Sequence, residues 1–327
     1  MTNFSQSYII AIMGTQSEEA IIKALSFIKD GKLELAKKEL ETAFLDDLES
    51  KALRVCTAFC CNWIKAFSES DSAADLTKGD NLLQMWNSFV PWTKKFACDF
   101  ENDELYEDAM FAFKTCVYSR ALQEYEKIPD DGDPKMRAEL LRKTGLCEKR
   151  LGNYDNALNL LKEANSLNPG QAEIISEMAD CLELCGDSKL ARVLYREAFF
   201  VDPEKVCLEN LDSPLIQELV SRITESKEYS GRILQEWLPV YGILLGAFNV
   251  KRPLKSQEVG RLKQNIYSKE NELKASDHKD LIVPRLMNLY LWLMDYYLLS
   301  KESTVKINEL LLKIKLLDSE IYEGYFK

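Results

Sequence analysis

The sequence offers one histidine, His278, and nine cysteines as its candidate bases, nucleophiles and soft metal ligands. Ser–His or Cys–His catalysis would rest wholly on His278, which sits in the polar run "KASDHKD" ahead of a helix, where a solvated loop histidine is the expectation. Cys56 and Cys60 are spaced i,i+4 on one helical face, as are Cys181 and Cys185, with no histidine near either pair. A structural zinc site needs four converging ligands at loop-like CxxC spacing. Nine is odd, and the cysteines lie in apolar helical runs, so they read as small buried residues in a reducing compartment rather than as a disulfide framework. The acidic runs "FLDDLES" and "DFENDELYED" lack the ordered oxygen ligands of a divalent-cation loop and read as solvated helix ends. "KDGK", Lys29 to Lys32, lacks the glycine spacing that lets backbone amides surround phosphate, and no G-x-S-x-G occurs. No catalytic residue, metal or cofactor is therefore expected. Trp86, Phe89, Trp92 and Phe96 make one helical stripe, read first as core packing, with a partner groove as the alternative.

The elements that carry these residues are helical. The chain has 327 residues, 46% of them hydrophobic, and only 13 Gly and 9 Pro interrupt apolar periodicity at helical spacing. An all-α fold is predicted. The net charge of −11 opposes binding to nucleic acid or to an anionic membrane surface. "MTNFSQSYIIAIMG" lacks the basic and long apolar regions of a signal peptide, and "LMNLYLWLMDYYLL" is interrupted by Asn288 and Asp295. A cytoplasmic chain without membrane insertion is expected.

Self-similarity organises the middle of the chain. Gly152 and Gly186, Ala157 and Ala191, Leu161 and Tyr195, Ala164 and Ala198, and Pro169 and Pro203 are each 34 residues apart, as are Cys147 and Cys181. The glycines permit the positive φ at which one helix ends before the next begins. The alanines allow close helix approach, and the prolines disfavour continuation of the second helix. A third copy, Ser17–Ser50, places Ala24, Gly31, Ala36, Leu40 and Ala43 in the same phase, with Leu48 where proline would stand. The next helix, "KALRVCTAFCCNWIKAF", would pair with "NLLQMWNSFVPWTKKF" across a loop from Ser68 to Asp80, with Pro91 kinking or splitting the latter. The stretch from Asn81 to Pro129 reads as degenerate helix pairs, and "PDDGDPK", 129–135, as a loop.

This grammar resembles the tetratricopeptide repeat, a 34-residue helix–turn–helix unit, with copies at 138–171 and 172–205. The resemblance places the small residue of the first helix at Gly145 and Ala179; the copies depart from it at Leu141, where a large aromatic is usual, and at Ser188, which replaces the Tyr154 of the preceding copy. It implies a helical-hairpin solenoid whose first helices line a concave groove, and hence a non-enzymatic scaffold binding a peptide or helix of one or more partner proteins. Groove-facing positions then fall on Glu139, Arg142, Leu146 and Lys149 in one unit and on Glu173, Ser176, Asp180 and Glu183 in the next. Leu146 occupies a position where the subclass that grips chaperone C-terminal tails has asparagine, so no such clamp is expected.

The expected organisation is an N-terminal helical region, 1–129, two repeat units within 130–205, and a C-terminal helical module of five helices, 206–327, covering the end of the repeats. "LQEWLPVYGILLGAFNVKRPL" is similar to tails of bacterial, especially spirochaete-type, repeat proteins, which implies a subunit or assembly factor of a larger bacterial complex such as a flagellar apparatus. The competing reading is an enzyme or enzyme-regulatory subunit with a site in the C-terminal module.

Overall fold

Helix caps and turn glycines written into the sequence set the elements. The computed structural model describes residues 2–100, 102–130, 132–277 and 279–325, with side chains described from Gln16 onward except at Asp75 and Leu76. His278 lies outside the described residues. Fifteen α-helices and no strand occur among the described residues, and the chain divides into two units, Met1–Asn153 and Tyr154–Lys327.

The first unit holds α1 (Thr2–Lys29), α2 (Leu33–Asp46), α3 (Lys51–Asp71), α4 (Asp75–Thr93), α5 (Asp103–Glu126) and α6 (Pro134–Arg150). Ser50 caps α3 by accepting from Leu53 N–H at 3.3 Å, and Asn102 caps α5 through Leu105 N–H at 2.7 Å. Asp133 caps α6, whose first residue is Pro134, the position where a missing N–H costs nothing. Its core is aromatic: Phe59 and Trp63 of α3, Trp86 and Phe89 of α4 and Phe113 of α5 are buried together.

The expected loop at Ser68–Asp80 is corrected: α3 runs to Asp71 and α4 begins at Asp75. The polar composition misled, because only Gly79 in that stretch is a strong helix breaker, and it has a packing role. A Cβ at Gly79 would lie 2.5 Å from the Tyr125 ring, so glycine lets α4 and α5 meet there. Pro91 lies inside α4, which runs on to Thr93 before the chain tightens into a 3₁₀ turn over Lys94–Asp99.

The second unit holds α7 (Tyr154–Leu167), α8 (Ala172–Leu184), α9 (Ser188–Val201), α10 (Pro214–Lys227), α11 (Gly231–Leu244), α12 (Ser256–Ala275), α13 (Lys279–Leu299), α14 (Thr304–Leu317) and α15 (Ser319–Tyr325). Six helices follow the repeats instead of the expected five. Asp318 breaks the last one, its carboxylate accepting from Glu320 N–H at 2.9 Å and Ile321 N–H at 3.0 Å as a cap for α15.

The outward face of α9 is covered within this unit. Phe200 packs on Trp292 of α13 at 4.3 Å between ring centroids, and Phe248 lies against Tyr195 and Phe199. The connection between α11 and α12 is strapped to α9: Arg196 donates to Val250 O at 2.5 Å and pairs with the buried Asp295, while Arg252 forks onto Glu197 (2.8 and 2.9 Å) and also reaches Glu258. Polar groups this buried are tolerated because each meets a partner of opposite charge or a carbonyl.

Candidate protein-binding surfaces

The helix ends confirm the repeat at the level of single hydrogen bonds. After α6, Leu151 N–H donates to Cys147 O, Gly152 N–H to Lys149 O and Asn153 N–H to Glu148 O, at 3.0, 3.0 and 2.9 Å. After α8, Cys185 donates to Cys181, Gly186 to Glu183 and Asp187 to Leu182, at 2.9, 3.0 and 2.8 Å. Each bond in the second set is the first shifted by 34 residues. The six-to-one bond with a left-handed glycine is a Schellman end, and Gly152 and Gly186 have φ of +90° and +88°. The N-terminal copy closes α1 identically, with Asp30 on Ser26, Gly31 on Ile28 and Lys32 on Phe27. The second helices share an ending too: Asp47, Asn168 and Asp202 donate to Ala43, Ala164 and Ala198.

The small residues sit as their types require. Ala24, Ala36, Ala157, Ala164, Ala179, Ala191 and Ala198 have no exposed surface, and Gly145 is buried. Pro169 is exposed beyond α7, whereas Pro203 is buried and opens a 3₁₀ turn capped by Asp202.

The expected groove positions differ in what they can offer. On α6, Glu139 and Arg142 remain partly open and form a bidentate pair at 2.8 and 2.7 Å, one turn apart. Lys143 beside them reaches Asp80 at 2.7 Å, which also accepts from the Tyr125 hydroxyl at 2.7 Å. Leu146 and Lys149 are buried, so they contribute packing more than surface. On α8, Glu173 and Glu183 remain partly open, while Ser176 and Asp180 are buried. Asp180 is committed inside the unit: its Oδ1 accepts from the Tyr195 hydroxyl (2.6 Å) and Ser213 N–H (2.8 Å), and its Oδ2 from Asp212 N–H (2.8 Å). The position aligns with a groove face by register alone; the donors that claim it arrive 32 and 33 residues later, where periodicity gives no warning.

The aromatic stripe of α4 divides. Trp86 and Phe89 belong to the core, Phe96 is half-buried and Trp92 is exposed. Among the cysteines, Cys56, Cys60, Cys116, Cys147 and Cys181 are buried, and all nine are free thiols. Burial pushes the Cys116 thiol up to about 12 and raises Cys60 further, away from nucleophilic range.

In the C-terminal helices Glu258 and Glu270 are shifted downward and Glu236 upward. Burial raises Glu236 above the usual carboxylate range, with the Arg285 guanidinium opposing that rise. Both its oxygens are held by Arg285, an arrangement that fixes α11 to α13. Among the described residues, no group of three or more His, Cys, Asp or Glu is placed to hold a metal ion, and no helix is long and apolar enough to cross a membrane.

The tetratricopeptide repeat family model matches residues 150–205, the stretch that carries the second Schellman end and the α7, α8 and α9 helices. No curated protein and no solved structure matches the chain. Residues 150–205 are thus similar to tetratricopeptide repeats, a likeness that suggests protein–protein interaction.

Proposed function

We propose that this protein is a non-enzymatic scaffold that holds a peptide or helix of a partner protein against the first helices of its repeats. The observation that carries the reading is the repeat itself: α1, α6 and α8 end in the same hydrogen-bond pattern, and the last two of these endings overlap the family match. Glu139 and Arg142 on α6 and, separately, Glu173 and Glu183 on α8 are the contact residues proposed, because each keeps open surface on the first helix of its copy. Leu146, Lys149, Ser176 and Asp180 are buried and are left out of that contact set. The partner is a component of a larger assembly, of the bacterial flagellar or secretory kind suggested by the C-terminal resemblance.

The test is affinity purification of the full chain from its native cell, with mass spectrometry, in wild type and in the double exchange Glu139→Arg with Arg142→Glu. The exchange preserves the local ion pair and so the fold, but reverses the charge order that a partner reads. One dominant protein should be recovered with wild type and lost with the exchange. Recovery of no enriched protein, or equal recovery with both, refutes the groove reading.

A further inference from the structure

A different feature lies in the first unit, on α3 and α4, which belong to none of the three repeat pairs. The helices α3 and α4 meet through rings. Trp63 lies 6.1 Å from Trp86 and 5.2 Å from Phe89 between centroids, and Phe59 meets Phe89 edge-on at 5.1 Å. Rings of this size hold helix axes further apart than small residues do. Beside them the two helices leave a cleft of about 490 Å³, within the roughly 300–1,000 Å³ range of ligand sites. Its floor is Ala66 and Phe89; Asn62 stands on the α3 wall and Gln84 and Ser88 on the α4 wall, with Trp92 at one end.

The polar groups of this cleft are unequally occupied. Lys65 faces Glu69 at 3.6 Å, and the Ser88 hydroxyl donates to Gln84 O at 3.1 Å. The side-chain amides of Asn62 and Gln84, one on each wall, make no hydrogen bond among the described residues. At the Trp92 end, the Lys95 ammonium sits 5.1 Å over the Trp92 ring and 5.0 Å over Phe96, and no carboxylate among the described residues pairs with it. An unneutralised lysine over an exposed tryptophan is notable in a chain of net charge −11.

We propose that this cleft binds an extended segment of a partner protein, with one branched apolar or aromatic side chain entering against Phe89 and Ala66 and a neighbouring acidic side chain meeting Lys95. Each part of the occupant follows from a part of the site. A primary amide offers both a donor and an acceptor, so Asn62 and Gln84 complement the alternating N–H and C=O groups of a main chain running between them. The apolar floor rewards one buried side chain and gives no partner to a charged one. The carboxylate completes Lys95, whose ammonium is already held in place by the two rings.

Trp92 supplies the readout. It is 40% exposed, against 0% for Trp63, 7% for Trp86, 6% for Trp237 and 2% for Trp292, so acrylamide quenching of the full chain reports chiefly on Trp92. The probes are two sets of short synthetic peptides with a central Leu or Phe, one set flanked by Glu and the other by Lys. The Glu set should protect Trp92 from quenching in a saturable way, and the Lys set should not. Ser88→Phe, at an exposed position, fills the mouth of the cleft and should abolish protection. Asn62→Ala with Gln84→Ala, also at exposed positions or nearly so, should weaken it about tenfold. Lys95→Glu should transfer the preference to the Lys set. Circular dichroism of each variant checks that the fold is kept. Absence of protection by both sets up to millimolar peptide, equal protection by both, or protection untouched by Ser88→Phe and by the amide variant alike would each overturn the proposal.

Discussion

Replacing Tyr195 with phenylalanine tests whether Asp180 is a structural anchor. The change removes one hydroxyl from a fully buried site and leaves the ring against Phe248. That hydroxyl donates to Asp180 Oδ1 at 2.6 Å and lies 2.8 Å from Ser213 Oγ. Hydrogen bonds to charged groups contribute about 1.5–3 kcal/mol, and removing the hydroxyl also relieves its own desolvation, so the net loss should fall near 1.5–2 kcal/mol. For a unit of this size that corresponds to a fall in Tm of about 3–8 °C, or a matching shift in the urea midpoint. Asp180→Asn should cost more. Its oxygen can keep Tyr195 and Ser213, but the amide nitrogen would then face the Asp212 N–H, two donors with no acceptor between them. Asp180→Ala, which strands all three donors, should cost most, about 3–5 kcal/mol. Urea unfolding of the three variants gives the order directly. A Tyr195→Phe variant as stable as wild type, or an Asp180→Asn variant milder than it, would mean that Asp180 does not anchor the segment after the repeats.

The same kind of contact sets the other expectations. Gly152→Ala and Gly186→Ala should each cost about 1–2 kcal/mol and cost the same, since both glycines are left-handed and no atom lies within 4 Å of the added Cβ; Gly242→Ala should cost more in urea titration, because its Cβ would run into the Phe248 ring. Thiol labelling of the native chain at neutral pH should modify Cys61, Cys98 and Cys185 and spare the five buried cysteines until unfolding, with Cys185 the slowest of the three because partial burial and Asp155 raise its thiol. A thiol whose folded pKa is raised stabilises below its unfolded value and loses that contribution as pH rises towards the folded one, so the urea midpoint should fall between pH 9 and about 12, and Cys116→Ala should reduce the fall. The hydrogen bond from Arg252 lowers Glu258, a shift whose stabilisation is present above the ordinary carboxylate pKa and lost as pH falls through the folded value. The Tm should therefore drop on acidification below that range, and Glu258→Gln should be less stable at neutral pH but less sensitive to acid.

The parts of the fold legible in the sequence were those set by local stereochemistry. Gly31, Gly152 and Gly186 are forced by left-handed helix ends, and Asp133–Pro134 and Ser213–Pro214 by the needs of a first turn. The repeat register came with them, because identical local solutions recur at identical spacing. What was hidden depends on contacts distant in sequence. Gly79 has the type of a loop residue, and its reason for being glycine, the Tyr125 ring, lies 46 positions on by simple subtraction. Ser176 and Asp180 have the types of a polar surface and the burial of a core. The cleft between α3 and α4 was half visible: the aromatic stripe predicted packing, but which ring stays open depends on where the two helices diverge.

The burial of α8 bears on where partners can dock. A free-standing repeat keeps the first-helix face open and covers the second-helix face with the next repeat. In this chain, Asp180 on α8 holds the segment leading into α10, and Arg196 and Glu197 on α9 hold the strap before α12, so both helices of the 172–205 copy are tied to the C-terminal helices. The strap and α13 cover α9 where a further repeat would pack, through ion pairs and a ring stack. Each such contact removes open surface from the 172–205 copy. Of the contact residues proposed above, this copy keeps Glu173 and Glu183 on α8 partly open, both acidic. Recognition by this copy should therefore favour a basic segment and weaken with salt, whereas the cleft of α3 and α4, with Lys95 unneutralised among the described residues, should favour an acidic one.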